Sequence, residues 1–152
     1  MDIRIDDLRG AAIAALLQVH LDAMHEHSPP ESVHALDLDA LRHPSITFWT
    51  AYQGEELMGC GALKQLTARH AELKSMRTAA GHARKGVARA LMHHIEASAR
   101  VKGIRQISLE TGSHAPFSAA QKLYRSEGFV ECGPFADYVL DPYSLFMTKT
   151  LS

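Results

Sequence analysis

A chain of 152 residues is long enough to bury one sizeable core and too short for two ordinary ones, so a single domain over residues 1–152 is expected. With 46% hydrophobic and 22% charged residues it has a globular composition, and a net charge of −1 argues against the broad basic face that nucleic-acid binding requires. No apolar run reaches the roughly 20 residues of a membrane-spanning helix, no signal-peptide-like segment opens the chain, and Cys60 and Cys132 form no C-x-x-C pair, which together point to a reducing cytoplasm.

Ile3 and Ile5 alternate with polar residues and predict a short first strand. From Ala11 to His25, Ile13, Leu16, Leu17, Leu21 and Met24 recur at helical spacing, and Ser28-Pro29-Pro30 ends the run. His20, His25, His27 and His34 fall in or just after it. Their spacing matches no zinc pattern and no cysteine joins them, so a solvated or substrate-lining role is preferred to metal binding. A second helix is expected over Ser32–Leu41, stopped by Pro44.

Ile46–Tyr52 and Glu56–Leu66 read as a hairpin around Gln53-Gly54-Glu55. Gly59 and Gly61 flank Cys60 in the second strand, where small residues permit close approach or a bulge. Trp49 and Cys60 are assigned to the core, since nothing near Cys60 would lower its pKa and make it a nucleophile. In the next strand, Ala71–Thr78, simple alternation puts Glu72, Lys74 and Met76 on one face and Leu73, Ser75 and Arg77 on the other. A strand carrying such charges is bulged, lines a site, or lies at an edge.

That strand runs through a basic, Gly-containing loop into a helix, a junction suited to anions because free N–H groups and the helix dipole meet there. Gly81 and Gly86 have Walker A spacing, but Val87 and Ala88 stand where Lys and Ser/Thr are needed, and no G-x-G-x-x-G follows a strand. Both nucleotide-loop readings therefore fail. Val87–Lys102 is the clearest helix, with Val87, Ala88, Leu91, Met92, Ile95 and Ala99 opposite Arg89, His93, Glu96 and Arg100, and Gly103 as its stop. Ile104–Glu110 should return as a parallel strand, completing a right-handed strand-helix-strand unit.

Pro116 suits the first turn of a further helix and Gly128 its end, with Ala120, Leu123 and Tyr124 on the apolar face. Strands are expected over Phe129–Cys132 and Tyr143–Leu151. The loop from Gly133 to Leu140 between them carries Phe135, Asp137 and Tyr138, which either cover substrate or pack on the sheet edge.

Two stretches resemble the signatures of the GNAT superfamily of acetyl-CoA-dependent N-acetyltransferases. Ala83-Arg-Lys-Gly-Val-Ala88 follows the consensus Arg/Gln-x-x-Gly-x-Gly/Ala at Gly86 and Ala88 but not at Ala83, and Ala120 to Phe129 matches A-x-x-L-Y-x-x-x-G-F at each specified position. The resemblance implies an α/β fold with a mixed, mostly antiparallel sheet, a splayed parallel pair and about four flanking helices. It implies that Arg84, Lys85, Gly86, Val87, Ala88 and Arg89 hold the coenzyme A pyrophosphate, and that Met76, Arg77 and Thr78 pair with the pantetheine arm as an added strand. Ser113 stands near the position where many members carry a coenzyme-contacting Asn. Ser28 to His34 would help select the acceptor.

Acetyl transfer to an amine needs a proton acceptor for the amine, a donor to the oxyanion and a donor to the departing sulfur. Glu72, which lies on the strand before the loop at the distance from Gly86 where some members carry a general-base glutamate, is a base or else a partner of Lys74 or Arg77; both readings stand. Tyr124, with a reference pKa of roughly 10, is the acid or sulfur donor, and the backbone N–H of Met76 would serve the oxyanion. Glu110 and His114, at the carboxyl end of the second parallel strand, are secondary candidates for the acceptor. Arg77 is a surface ion pair or captures an acceptor carboxylate. The expected acceptor is a small-molecule primary amine, with a protein or peptide amine as runner-up and no metal required. A catalytically silent acyl-CoA sensor is the rival from another class, and a homodimer is left open.

Overall fold

The computed structural model describes residues 1–152. Strand β1 (Asp2–Ile5) leads to α1 (Ala11–His27), which buries Ile13, Leu16, Leu17 and His20. The helix expected over Ser32–Leu41 is not continuous. Pro30–Ser32 forms one 3-10 turn, Val33 is extended, and the Asp37 side chain accepts the Ala40 N–H, so a fresh start is capped and only the short α2 (Leu38–Leu41) follows.

The remaining elements are β2 (Ile46–Gln53), β3 (Glu56–Gln65), β4 (His70–Thr78), α3 (Val87–Val101), β5 (Gln106–Gly112), α4 (Ser118–Ser126), β6 (Val130–Cys132) and β7 (Ser144–Thr150). Pro116 lies not in α4 itself but in a 3-10 turn, Ala115–Phe117, that leads into it. The strands form one sheet in the order β1-β2-β3-β4-β5-β7-β6, antiparallel throughout except between β4 and β5. This is the mixed, splayed sheet expected.

The parallel pair is short. His70, Ala71 and Glu72 pair with Gln106, Ile107 and Ser108, after which β4 continues to Thr78 with no partner on that side while β5 stays paired with β7 as far as Gly112. The outer half of β4 therefore offers an open row of backbone donors and acceptors.

Two apolar layers enclose the sheet. On one face α3 packs Val87, Leu91, Ile95 and Ala99 against Trp49, Leu73 and Leu109; on the other, Ile13, Leu17 and Leu41 meet Phe48, Cys60 and Ala62. A Cβ at Gly59 would lie 2.8 Å from Val87 Cγ1, and one at Gly61 would lie 2.5 Å from Met76 Sδ and 3.1 Å from Ile95 Cδ1. The two glycines are what lets α3 sit this close to β3. Glu96, expected on the polar side of α3, is instead buried at 5% exposure because Lys149 of β7 reaches it as an ion pair.

A bulge in β4 overturns the alternation expected there. Register passes from Ala62↔Lys74 to Cys60↔Arg77, so Gly61 opposes both Ser75 and Met76, and Ser75 takes a left-handed φ of 55°. Since Cys60 and Ala62 share a face, so do Lys74 and Arg77. Met76 turns instead to the α3 side, where its sulfur covers Gly61.

Candidate active site

One cavity of about 570 Å³ opens where β4 and β5 part, lined by residues of α1, β4, β5, α4 and the loop before α3. At one end lies the loop. Arg84 takes a left-handed φ of 64° and Gly86, at the N-cap of α3, one of 78°, and no side chain caps the helix. Gly86 is suited to that geometry because it lacks the Cβ that a left-handed residue must accommodate. With Arg84, Lys85 and Gly86 exposed and the first N–H groups of α3 free of any side-chain cap, the junction fits an anion.

The predicted loop residues do not all converge. Ala83, Arg84 and Ala88 line the cavity, whereas the Val87 side chain is buried against Gly59, leaving only its amide for a ligand. Arg89 is turned away: its Nη2 donates to Ser126 Oγ at 3.1 Å and its Nε lies 3.4 Å from Glu127, so it ties α3 to α4. Ser113 is likewise spent, donating to the Pro142 carbonyl, and His114 bonds the His27 carbonyl at the end of α1. Neither lines the cavity. Met76, Arg77 and Thr78 do.

Tyr124 of α4 faces the cavity at 9% exposure, packed edge-to-face on Phe129. Burial, reinforced by the nearby Glu110 carboxylate, pushes its phenol up to about 12. It remains a neutral donor over the working pH range. Glu110 of β5 lines the same cavity, and burial pushes its carboxyl up to about 7, against the smaller opposing pulls of Ser144 and Lys74.

Glu72 is in the cavity wall but not free. At 3% exposure, its Oε2 takes the Lys74 ammonium at 3.0 Å and the Tyr138 hydroxyl, while Lys74 Nζ also donates to that hydroxyl at 3.0 Å. Tyr138, which the loop after β6 delivers, is the partner that the local sequence around Glu72 does not disclose. The loop is held over the site by its other contacts: Ser32 Oγ donates to Asp141 at 2.6 Å, and the rings of His34 and Tyr138 meet edge-on at 5.0 Å. The 28–34 segment thus lines the cavity through Ser28, Val33 and His34, while the 133–140 loop stands behind its wall, with Tyr138 bonded to Glu72 and Lys74.

One further residue escaped the sequence, and another was read in a different role. His82, buried beneath the anion loop, places Nε2 3.1 Å from Glu56 and fastens the loop to the β2–β3 hairpin. Glu110, expected only as an acceptor contact at the strand end, is buried close enough to Tyr124 for its charge to raise the phenol.

A parallel pair thus splays onto an open strand edge that is continued by a basic, uncapped helix N-terminus. The chain belongs to the acetyltransferase (GNAT) family, whose family model matches residues 13–129. Among relatives, it is 57% identical to the uncharacterized N-acetyltransferase YsnE of Bacillus subtilis strain 168, covering 99% of this chain and 100% of that one. It is 50% identical to the uncharacterized N-acetyltransferase YedL of Escherichia coli K12, over 98% of this chain and 94% of the other. An IAA acetyltransferase of Azospirillum brasilense is 40% identical over 81% of this chain and 80% of its own length. The fold is shared with a GNAT family acetyltransferase from Elizabethkingia anophelis, solved with acetyl-CoA bound, at a TM-score of 0.74 and 16% identity over 99% of this chain and 97% of that one. The protein is thus an acetyl-CoA-dependent acyltransferase.

Proposed function

We propose that the protein acetylates the primary amine of a small molecule by direct attack on the thioester. The observation that carries this reading is that Glu110 and Tyr124 face one cavity beside the open edge of β4. In this reading the backbone of Met76–Thr78 holds the pantetheine arm, and Arg84, Lys85 and the amides of Gly86–Ala88 hold the pyrophosphate. The thioester supplies an activated acetyl group.

The residues divide the proton work. Glu110, half ionised near pH 7, takes a proton from the incoming amine. Tyr124, with its phenol near 12, is a weaker acid than a thiol, so it serves the leaving sulfur by donating a hydrogen bond and keeps its own proton. The proton lost by the amine balances the one the free thiol finally carries. Glu72, bound by Lys74 and Tyr138, shapes the wall and is not the base. A cavity of about 570 Å³ that must hold both the acetyl-pantetheine end and the acceptor favours a small acceptor over a folded protein.

The test is acetyl-CoA-dependent thiol release over a panel of amines, amino acids and peptides. Turnover on a small amine is expected, with Tyr124→Phe lowering kcat on the order of 100-fold while acetyl-CoA affinity stays within a few-fold. Tight coenzyme A binding with no release across the panel would replace this reading with a silent acyl-CoA sensor.

A further inference from the structure

The β4 bulge turns Arg77 toward α1 and into the cavity, beside His20 and Cys60. Its Nε and Nη2 are sealed from solvent and meet no acceptor, and no acidic side chain pairs with it. The alternative reading of Arg77 as an ordinary surface ion pair is thereby removed.

Arg77 is half-buried, and a guanidinium, which stays charged in a protein, is costly to cover without a partner unless a ligand supplies one. Its neighbours supply none: burial holds His20 down to about 4 and the Cys60 thiol up to about 12, so both are neutral. Three cations line the cavity. Lys74 is committed to Glu72 and Tyr138, and Arg84 belongs to the exposed anion loop. Arg77 alone is unassigned, and its planar fork matches a carboxylate through two parallel hydrogen bonds.

We infer that the acceptor is a small amino acid, an amine that also carries a carboxylate, with the carboxylate bound by Arg77 on the α1 side of the cavity while the amine is presented to Glu110. This inference rests on the acetyltransferase reading above and adds to it the substrate class. Arg77 is then a specificity residue: it holds the acceptor and takes no part in bond making.

The experiment pairs each standard amino acid with its own carboxamide and with the matching decarboxylated amine, and measures kcat/KM for all three at saturating acetyl-CoA. Wild-type protein should prefer the free acid over the amide by about 100-fold or more. That comparison needs no variant. Arg77→Met should erase the preference by raising KM for the acid far more than for the amide; Arg77→Lys, which keeps charge but not the fork, should restore part of it. Equal use of acids and amides by the wild type, or a loss in Arg77→Met that falls on acetyl-CoA affinity instead, would overturn the inference.

Calorimetric titration of the same acids and amides into coenzyme A-loaded protein separates this inference from the reading beneath it. If no amine is turned over, the acetyltransferase reading fails by itself. Acid-selective binding that Arg77→Met abolishes would still support the carboxylate site, and no acid-selective binding would sink it.

Discussion

Glu110 and Glu72 face the same cavity from neighbouring strands, and their surroundings give them different work. Glu110 has its carboxyl raised to about 7 by burial, so kcat/KM should climb with pH through that value as the carboxylate forms. In Glu110→Gln this limb should vanish from the pH profile, leaving only the slope due to the acceptor amine's own ionisation. Glu72→Gln should act on stability instead. It leaves the Lys74 ammonium without its buried counter-charge, and urea unfolding should show a loss of about 3 kcal/mol or more, with the pH 7 limb intact. Tyr124 was legible from its motif because its neighbours in sequence are also its neighbours on the helix. Glu72 was legible in part: its pairing with Lys74 was one of two readings and is present, whereas Tyr138 is brought to it from 66 residues away by the fold.

Among the elements, β4 and the loop after it line the cavity and hold two of the four left-handed non-glycine residues, Ser75 and Arg84. Ser75 combines a left-handed backbone with a buried hydroxyl that has no partner. Ser75→Gly relieves both and should raise the unfolding free energy by about 1 kcal/mol, readable as a higher urea midpoint at unchanged slope. His82 does for the anion loop what Ser75 does for the strand, fixing where backbone groups point. With His82→Ala the loop loses its tie to Glu56, and KM for acetyl-CoA should rise several-fold at nearly constant kcat. Hydrophobic spacing was sufficient to find α3 and the β2–β3 hairpin, whose patterns are local. It failed at β4 because alternation assumes one residue per rung, and at residues 32–41 because apolar Leu36, Leu38 and Leu41 suit a helix while the Asp37 cap begins one only at Leu38. The order of the elements was readable, and so was the splay, though only through the two family signatures; where β4 leaves β5 was not.

For the whole molecule, two buried groups of the cavity set opposing pH dependences of stability. Glu110 ionises near 7 when folded and near 4.5 otherwise, so the native state holds its proton more tightly and stability is lost as pH rises from about 4.5 to 7. His20 ionises near 4 when folded and near 6.5 otherwise, so stability is lost as pH falls from about 6.5 to 4. Between 4.5 and 6.5 the two slopes oppose one another. Glu110→Gln removes the first, and urea melts should show a gain on the order of 2–3 kcal/mol at pH 8 that disappears by pH 4. The bulge in β4 also has a meaning for descent. Because the two residues opposite Gly61 absorb one extra position, a three-nucleotide deletion of Ser75 would leave Lys74 opposite Ala62 and Arg77 opposite Cys60, with the guanidinium still on the α1 face and Met76 still over Gly61. Such a lineage can lose the bulge and its strained residue in a single mutational event while the face that β4 turns to the cavity is inherited intact.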